Sequence, residues 1–184
     1  MTRTLTILVD QREKQPLLLP GTVRLAWRPY MADATSSLFI VTQKKATLKT
    51  GDYQLEDHPS GCIIERKGSL SEICGNLFEP VRRTRFIDEL KRLRDTCRLP
   101  VLLFEGDPHD LSTQSNRQNI PHTIALHSLI HLLADFRVWP LFVRTQSIPH
   151  RRATGELATI LLFKGAQPLP PLEEGSPTSA QNGV

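Results

Sequence analysis

The sequence predicts an α/β protein with a mixed central sheet flanked by helices. Three observations predict it. Short apolar runs such as LTILVD (5–10) and PVLLFEG (100–106) have the length and branched composition of buried strands. Apolar residues at three- and four-residue intervals mark helices between them. In the second half the two patterns alternate as strand, helix, strand, helix, an order that lays helices on the faces of a parallel or mixed sheet.

The elements follow in order. After LTILVD comes TVRLAW (22–27), a half-exposed strand with alternating Val23, Leu25 and Trp27, then LFIVTQ (38–43) as a third strand. YQLED (53–57) and GCIIERK (61–67) are separated by His58-Pro59-Ser60, a turn-like link that predicts a hairpin. Leu70, Ile73, Leu77 and Phe78 have helical spacing, as do Phe86, Leu90 and Leu93 within VRRTRFIDELKRLRDTCR (81–98). PVLLFEG is followed by HTIALHSLIHLLADFR (122–137), a helix with Leu129, Leu132, Leu133 and Phe136 on one stripe. WPLFVRT (139–145) returns to strand, and RRATGELATILLFKG (151–165) ends in helix. Trp27 and Trp139 are assigned to the core. The folded domain is expected over 1–166, with 167–184, rich in Pro, Ser and Gly, as a disordered tail.

Composition narrows the class. With 39% hydrophobic and 23% charged residues the chain is ordinary for a globular protein. No run approaches the roughly 18 apolar residues of a membrane helix, and MTRTLTILVDQREK lacks the apolar core of a signal peptide. A cytoplasmic location is expected. Cys62, Cys74 and Cys97 are odd in number and show no CxxC spacing, which fits reduced thiols. The net charge is +4, and the tail contains Glu173 and Glu174 but no Lys or Arg. The basic excess therefore lies in the folded part and suits an anionic partner.

Two of the strands carry chemistry. Pairing Tyr53–Asp57 with Gly61–Lys67 brings Asp52 near Glu65, and strand alternation puts Lys67 on the face of Glu65 with Arg66 on the other. Two carboxylates and an ammonium are what divalent-metal phosphodiester hydrolysis needs: Mg²⁺ takes one or two carboxylates plus water and phosphate oxygens. A solvated hairpin with surface ion pairs would have the same signature. Gly51 suits a turn that a Cβ would disfavour.

More of the chain joins this pattern. Val9-Asp10-Gln11-Arg12-Glu13-Lys14 follows a buried strand, then come Leu48-Lys49-Thr50-Gly51-Asp52-Tyr53 and Ile64-Glu65-Arg66-Lys67. Arg85-Phe86 with Glu89-Leu90, and Phe104-Glu105-Gly106, complete the series. In this order the blocks resemble the nuclease domain of the XPF family of structure-specific DNA endonucleases, of the PD-(D/E)xK, restriction-endonuclease-like superfamily. The resemblance spans roughly residues 5–145 and implies a restriction-endonuclease-like fold. It makes Asp52 and Glu65 metal-binding carboxylates, Lys67 the catalytic lysine and Asp10 a further acid that reaches the metal directly or through water. Arg12 and Glu13 become an accompanying pair in which the arginine forks onto a phosphate and Glu13 holds it. Arg66 braces the site from behind.

The implied activity is a Mg²⁺- or Mn²⁺-dependent endonuclease acting on branched or flapped DNA in repair or recombination. Its in-line water attack leaves 5′-phosphate and 3′-hydroxyl ends. A non-catalytic or partner-dependent DNA-binding scaffold of the same fold is the alternative. There are two departures. Where the family usually has Asp four residues after the ERK lysine, this chain has Ser71 and then Glu72, which either fills that role or faces solvent. The tandem helix-hairpin-helix module common in relatives has no room after residue 166. That points to a bacterial or phage relative at the nucleoid, with DNA grip from a homodimer or a heteromeric partner.

For DNA contact the candidates are Arg82, Arg83 and Arg85, with Arg92 and Arg98 in the same basic segment and Arg151 and Arg152 further on. Lys91 and Arg94 fit surface pairs with Asp88, Glu89 and Asp95 instead. His127, His131 and Asp135 have zinc-compatible spacing, but a polar helix edge explains them. Leu157, Ile160 and Leu161 fit a dimer contact or the core.

Overall fold

A computed structural model of the chain describes residues 3–26, 36–109 and 122–168. Its strands are β1 (Arg3–Asp10), β2 (Thr22–Ala26), β3 (Ser36–Ala46), β4 (Tyr53–Leu55), β5 (Cys62–Lys67), β6 (Leu99–Glu105) and β7 (Trp139–Val143). They form one seven-stranded sheet in the order β2-β3-β1-β4-β5-β6-β7. The helices are α1 (Leu70–Phe78), α2 (Pro80–Thr96), α3 (His122–Asp135) and α4 (Ile148–Ala166). The mixed α/β architecture is the one the sequence predicts.

β1 pairs in parallel with β3, β5 with β6, and β6 with β7, whereas β2 and β4 run against their neighbours. Five strands therefore end at the same edge of the sheet, where open α/β sheets form their ligand crevices. The hairpin is present, with Tyr53 opposite Ile64 and Gln54 opposite Ile63. β3 is longer than its apolar pattern. Its exposed Gln43-Lys44-Lys45 stretch continues because backbone pairing with β1 runs on to Asp10 opposite Ala46.

Each face of the sheet has its own core. Leu5, Ile7 and Val9 of β1, Phe39 and Val41 of β3, Ile64 of β5 and Leu103 of β6 pack with Ala158, Leu162 and Phe163 of α4. On the other face Ile63, Leu102 and Phe104 meet Ile73, Leu77, Phe86, Leu90, Leu93, Leu129 and Leu133. β5 is thus buried on both sides, and its alternation sorts Cys62 and Ile64 from Ile63. Leu157 and Leu161 pack against the α4 core, while Ile160 is exposed.

Trp139 departs from expectation. It is 65% exposed at the start of β7, an edge strand that the helices do not cover there. Trp27 lies outside the described residues, as does the expected tail from residue 169. Cys62, Cys74 and Cys97 are buried, and no disulfide joins them. Among the described residues no helix is long and apolar enough to cross a membrane.

Gly51 fixes the geometry between β3 and β4. Its φ is +70°, the left-handed region, and a Cβ there would stand 2.1 Å from Ile63 Cγ2 and 3.2 Å from the Ile64 carbonyl oxygen. Left-handed backbone costs an L-residue about 1–2 kcal/mol, and overpacking adds about 1–3. Gly51→Ala should therefore lower the unfolding free energy by about 3 kcal/mol in urea titrations. A loss below about 1 kcal/mol would show that the turn relaxes freely.

Candidate active site

One residue beyond the paired positions of the hairpin, Asp52 comes opposite Glu65. The Asp52 backbone N–H donates to the Ile64 carbonyl at 2.8 Å, and the Arg66 N–H donates to Asp52 Oδ2, also at 2.8 Å. Alternation then carries Glu65 and Lys67 to the helical face. Lys67 Nζ donates to Glu65 Oε1 at 2.7 Å, with the two residues 6% and 7% exposed. The sequence reading brings these three groups together, and so does the structure.

Lys67 has further acidic neighbours. Glu89 of α2 places Oε2 3.0 Å from Nζ, and Glu72 Oε1 lies at 3.8 Å. Glu89 therefore turns to Lys67, not to the basic residues of its own helix. Its signal in the sequence is its place beside Leu90 and three residues after Phe86, at the flank of the buried stripe. Glu72 has two tasks: its backbone N–H is capped by Ser69 Oγ at 3.2 Å, and its Oε2 accepts from the Gly68 N–H at 3.0 Å. It also lines the site cavity and is not turned wholly to solvent.

The partners around β1 are exchanged relative to expectation. Arg12 is held by Asp10, not Glu13: its backbone N–H and Nε both donate to Oδ1 at 2.7 Å, and Nη2 donates to Oδ2 at 3.1 Å. The Leu48 N–H also donates to Asp10 Oδ2, at 2.9 Å. Both oxygens of the fully buried Asp10 are therefore engaged, and Asp10 does not line the cavity. Glu13 instead accepts from Arg66 Nη1 at 3.1 Å, and Arg66 Nε donates to Glu105 Oε1 at 2.6 Å. The Thr145 hydroxyl donates to Glu105 Oε2 at 3.0 Å. The tight turn after β1 folds Arg12 back on its own strand end, which frees Glu13 to reach across to β5. The strand period puts Arg66 on the opposite face of β5 from Glu65, yet it lines the same cavity.

The resulting cavity, about 610 Å³, is lined by Arg12, Glu13, Lys14, Asp52, Glu65, Arg66, Glu72 and Glu105, among others. Burial pushes the Asp52 carboxyl up to about 6, even though the Arg66 N–H and Lys67 pull the other way. Burial also raises Glu65 well above the usual carboxylate range; Lys67 opposes this, and Glu89 and Asp52 add to it. For Lys67, burial would lower the pKa, but Glu65, Glu89 and Glu72 outweigh it and raise it, so the group is an ammonium. Asp10 is different: Arg12 holds it down to about 2.

A hard cation fits the Asp52–Glu65 pair. Glu65 is buried and Asp52 half-buried, both are short of positive charge, and Oδ1 of Asp52 takes no protein donor among the described residues. Among those residues no three His, Cys, Asp or Glu side chains converge as a ready-made cage. Mg²⁺ does not need one, because it keeps several waters and takes substrate oxygens.

A second depression opens beside the first. It shares Lys67 and Glu72 and is lined by Asn76, Arg82, Arg85, Glu89 and Arg92. Arg83 is not part of it. One residue round the helix from Arg82, it joins His127, Ser128, His131 and Asp135 in a separate hollow. Arg98 also leaves the group, donating to the Gly165 and Gln167 carbonyls at the end of α4. Arg94 pairs with Asp95 at 2.7 Å and Lys91 with Asp88 at 3.5 Å, both on the surface. Arg152 lines a groove with Glu156 and Leu18 away from the acids.

Comparison with known proteins agrees with this architecture. The family model for the ERCC4 domain matches residues 9–154. XPF from Aeropyrum pernix is similar in structure, with a TM-score of 0.55 and 19% identity over 85% of this chain and 63% of that one. XPF from Aeropyrum pernix in complex with DNA gives 0.53 and 18%, covering 88% and 63%. At these identities the likeness is one of fold, and the chain spans 63% of the length of each. No curated protein matches the chain significantly. The fold is that of a restriction-endonuclease-like nuclease domain. The chain belongs to the ERCC4 domain family.

The charge imbalance has a measurable consequence. Asp52 ionises near 3.8 when unfolded and about 6 when folded. Its protonated form therefore favours the native state in acid, and that stability is lost as pH rises from about 4 to about 6. Glu65 acts in the same direction. In EDTA the melting temperature should be lower at about pH 7.5 than at about pH 5, and Mg²⁺ or Mn²⁺ should close the gap at the higher pH. Asp52→Asn should shrink both effects. A melting temperature that climbs through this window without metal would contradict the assignment.

Proposed function

We propose that this domain is a Mg²⁺- or Mn²⁺-dependent DNA endonuclease acting at branched or flapped DNA. The observation that carries the reading is the group of half-buried Asp52 with buried Glu65 and Lys67, with too few cations for its carboxylates, opening beside an arginine-lined shoulder. Asp52 and Glu65 would hold the metal. When bound, the ion polarises the scissile phosphate and activates a water.

The chain's own residues do the rest. Lys67, kept charged by its acids, donates to the phosphoryl oxygens as negative charge builds there and does not act as a base. Arg66, clamped by Glu13 and Glu105, braces Asp52 through its backbone N–H. Asp10 belongs to this bracing: it engages Nε and Nη2 of Arg12, whose side chain is 71% exposed at the cavity rim and keeps Nη1 for a phosphate oxygen. Arg82 and Arg85, joined by Arg92, would carry the adjoining backbone, and Arg83 would contact DNA only beyond that track.

The relative solved in complex with DNA supports nucleic acid as the partner. Repair or recombination in the cytoplasm, at the nucleoid, is the setting this reading implies, with a homodimer or a heteromeric partner adding grip.

The test is cleavage of splayed, flapped and plain duplex DNA in Mg²⁺ or EDTA. Metal-dependent cutting that favours the branched forms is expected, and Asp52→Asn and Lys67→Met should each lower it by about 100-fold or more. Binding without cutting would identify the scaffold alternative, and cutting only with added cell extract would identify a partner-dependent subunit. Arg85→Ala should weaken DNA binding and reduce the slope of log affinity against log salt by about 1, with cutting at saturation largely kept. An unchanged salt slope would remove Arg85 from the interface.

A further inference from the structure

An acid approaches Lys67 from α2, outside the cavity that Asp52 and Glu65 line. Lys67 Nζ lies 2.7 Å from Glu65 Oε1, 3.0 Å from Glu89 Oε2 and 3.8 Å from Glu72 Oε1, with the Phe86 ring centre 5.7 Å away. An ammonium has three N–H donors. One is hydrogen-bonded to Glu65, while Glu89 holds the ammonium as an ion pair at 3.0 Å.

We infer that Glu89 is the positioning residue for Lys67, the tie that holds the ammonium over the scissile phosphate once Glu65 has turned to the cation. This rests on the proposed endonuclease reading. Glu65 cannot give its oxygens fully to a metal and keep its 2.7 Å contact with Lys67 at full strength. Glu72 is too distant for a hydrogen bond, and its Oε2 is committed to the Gly68 N–H at 3.0 Å. Only Glu89 remains, and its backbone is fixed: Phe86, Leu90 and Leu93 of the same helix are essentially fully buried. Without it, the four-carbon lysine stem regains its rotamers.

A mere surface acid would behave in the opposite way. Glu89 is 23% exposed beside Arg82, Arg85 and Arg92, so as an unpaired charge it would repel DNA. Its removal would then tighten binding and raise activity.

Glu89→Met, which keeps volume and helix propensity, and Glu89→Gln, which keeps an acceptor, separate these cases. In ¹⁵N NMR of the lysine ammonium groups with Mg²⁺ present, the Lys67 signal should be visible in the wild type and in Glu89→Gln and be lost to exchange in Glu89→Met. On a cleaved substrate, Glu89→Met should lower kcat about ten-fold with KM and the Mn²⁺ affinity within about two-fold, and Glu89→Gln should recover most of the loss. A Lys67 signal that persists in Glu89→Met overturns the inference, as does a kcat that is unchanged or raised. If the wild type cuts nothing, the endonuclease reading falls, and the NMR comparison alone decides whether Glu89 holds Lys67.

Discussion

An excess of buried and half-buried negative charge near the carboxyl ends of β1, β5 and β6 is the constraint on which the rest of this domain depends. Glu13, Asp52, Glu65, Glu89 and Glu105 gather around two basic groups, Arg66 and Lys67. An unpaired buried carboxylate costs several kcal/mol unless it is protonated or given a cation. The imbalance is not spread evenly. Asp10 has Arg12, and Glu13 and Glu105 share Arg66, so those acids are satisfied within the chain. The deficit falls on Asp52 and Glu65, the two whose protonated forms burial favours. Acids that hold an arginine surround two that do not, and that difference marks Asp52 and Glu65 as the pair a cation would suit.

The backbone keeps the centre from relaxing. β5 is packed on both faces by Cys62, Ile63 and Ile64, so it cannot rotate to send Glu65 into water. Asp52 is fixed from the other side. Gly51 takes a conformation an L-residue resists, and the Asp52 carbonyl accepts from the Asp10 N–H at 2.8 Å while its own N–H donates to Ile64. β4 is only three residues long. It serves mainly to space β1 from β5, which sets the balanced Asp10–Arg12 pair beside the unbalanced acids without merging the two.

Much of this is legible in residue order, and the parts that are not share a cause. Buried strands announce themselves by composition, and the period of two in Ile63–Lys67 is enough to separate Arg66 from Glu65 and Lys67. Partner choice has no such period. That Arg12 returns to Asp10 while Glu13 crosses to Arg66 depends on a turn whose direction neighbouring residues do not encode. Arg98 resembles any other member of a basic helix until the end of α4 arrives beside it from 67 residues away. Arg83 is parted from Arg82 by the 100° step of the helix, which a list of arginines hides. Trp139 reads as core because its size suggests burial, yet it begins an edge strand that no helix covers there. Local period is readable; contacts between distant segments are not.

The stripe on α2 shows why the acids and the basic track belong to one surface. Arg82, Arg85, Glu89 and Arg92 follow one another at intervals of three, four and three, so they share a face of the helix. An acid among arginines that meet a polyanion would ordinarily weaken the approach, since like charges about 6 Å apart repel by several kcal/mol at an intermediate dielectric. Lys67, 3.0 Å from Glu89 and shared with Glu65, offsets part of that cost. The same contact ties α2 to the strand that carries the acids. A displacement of α2 therefore reaches Lys67 directly, through one ion pair.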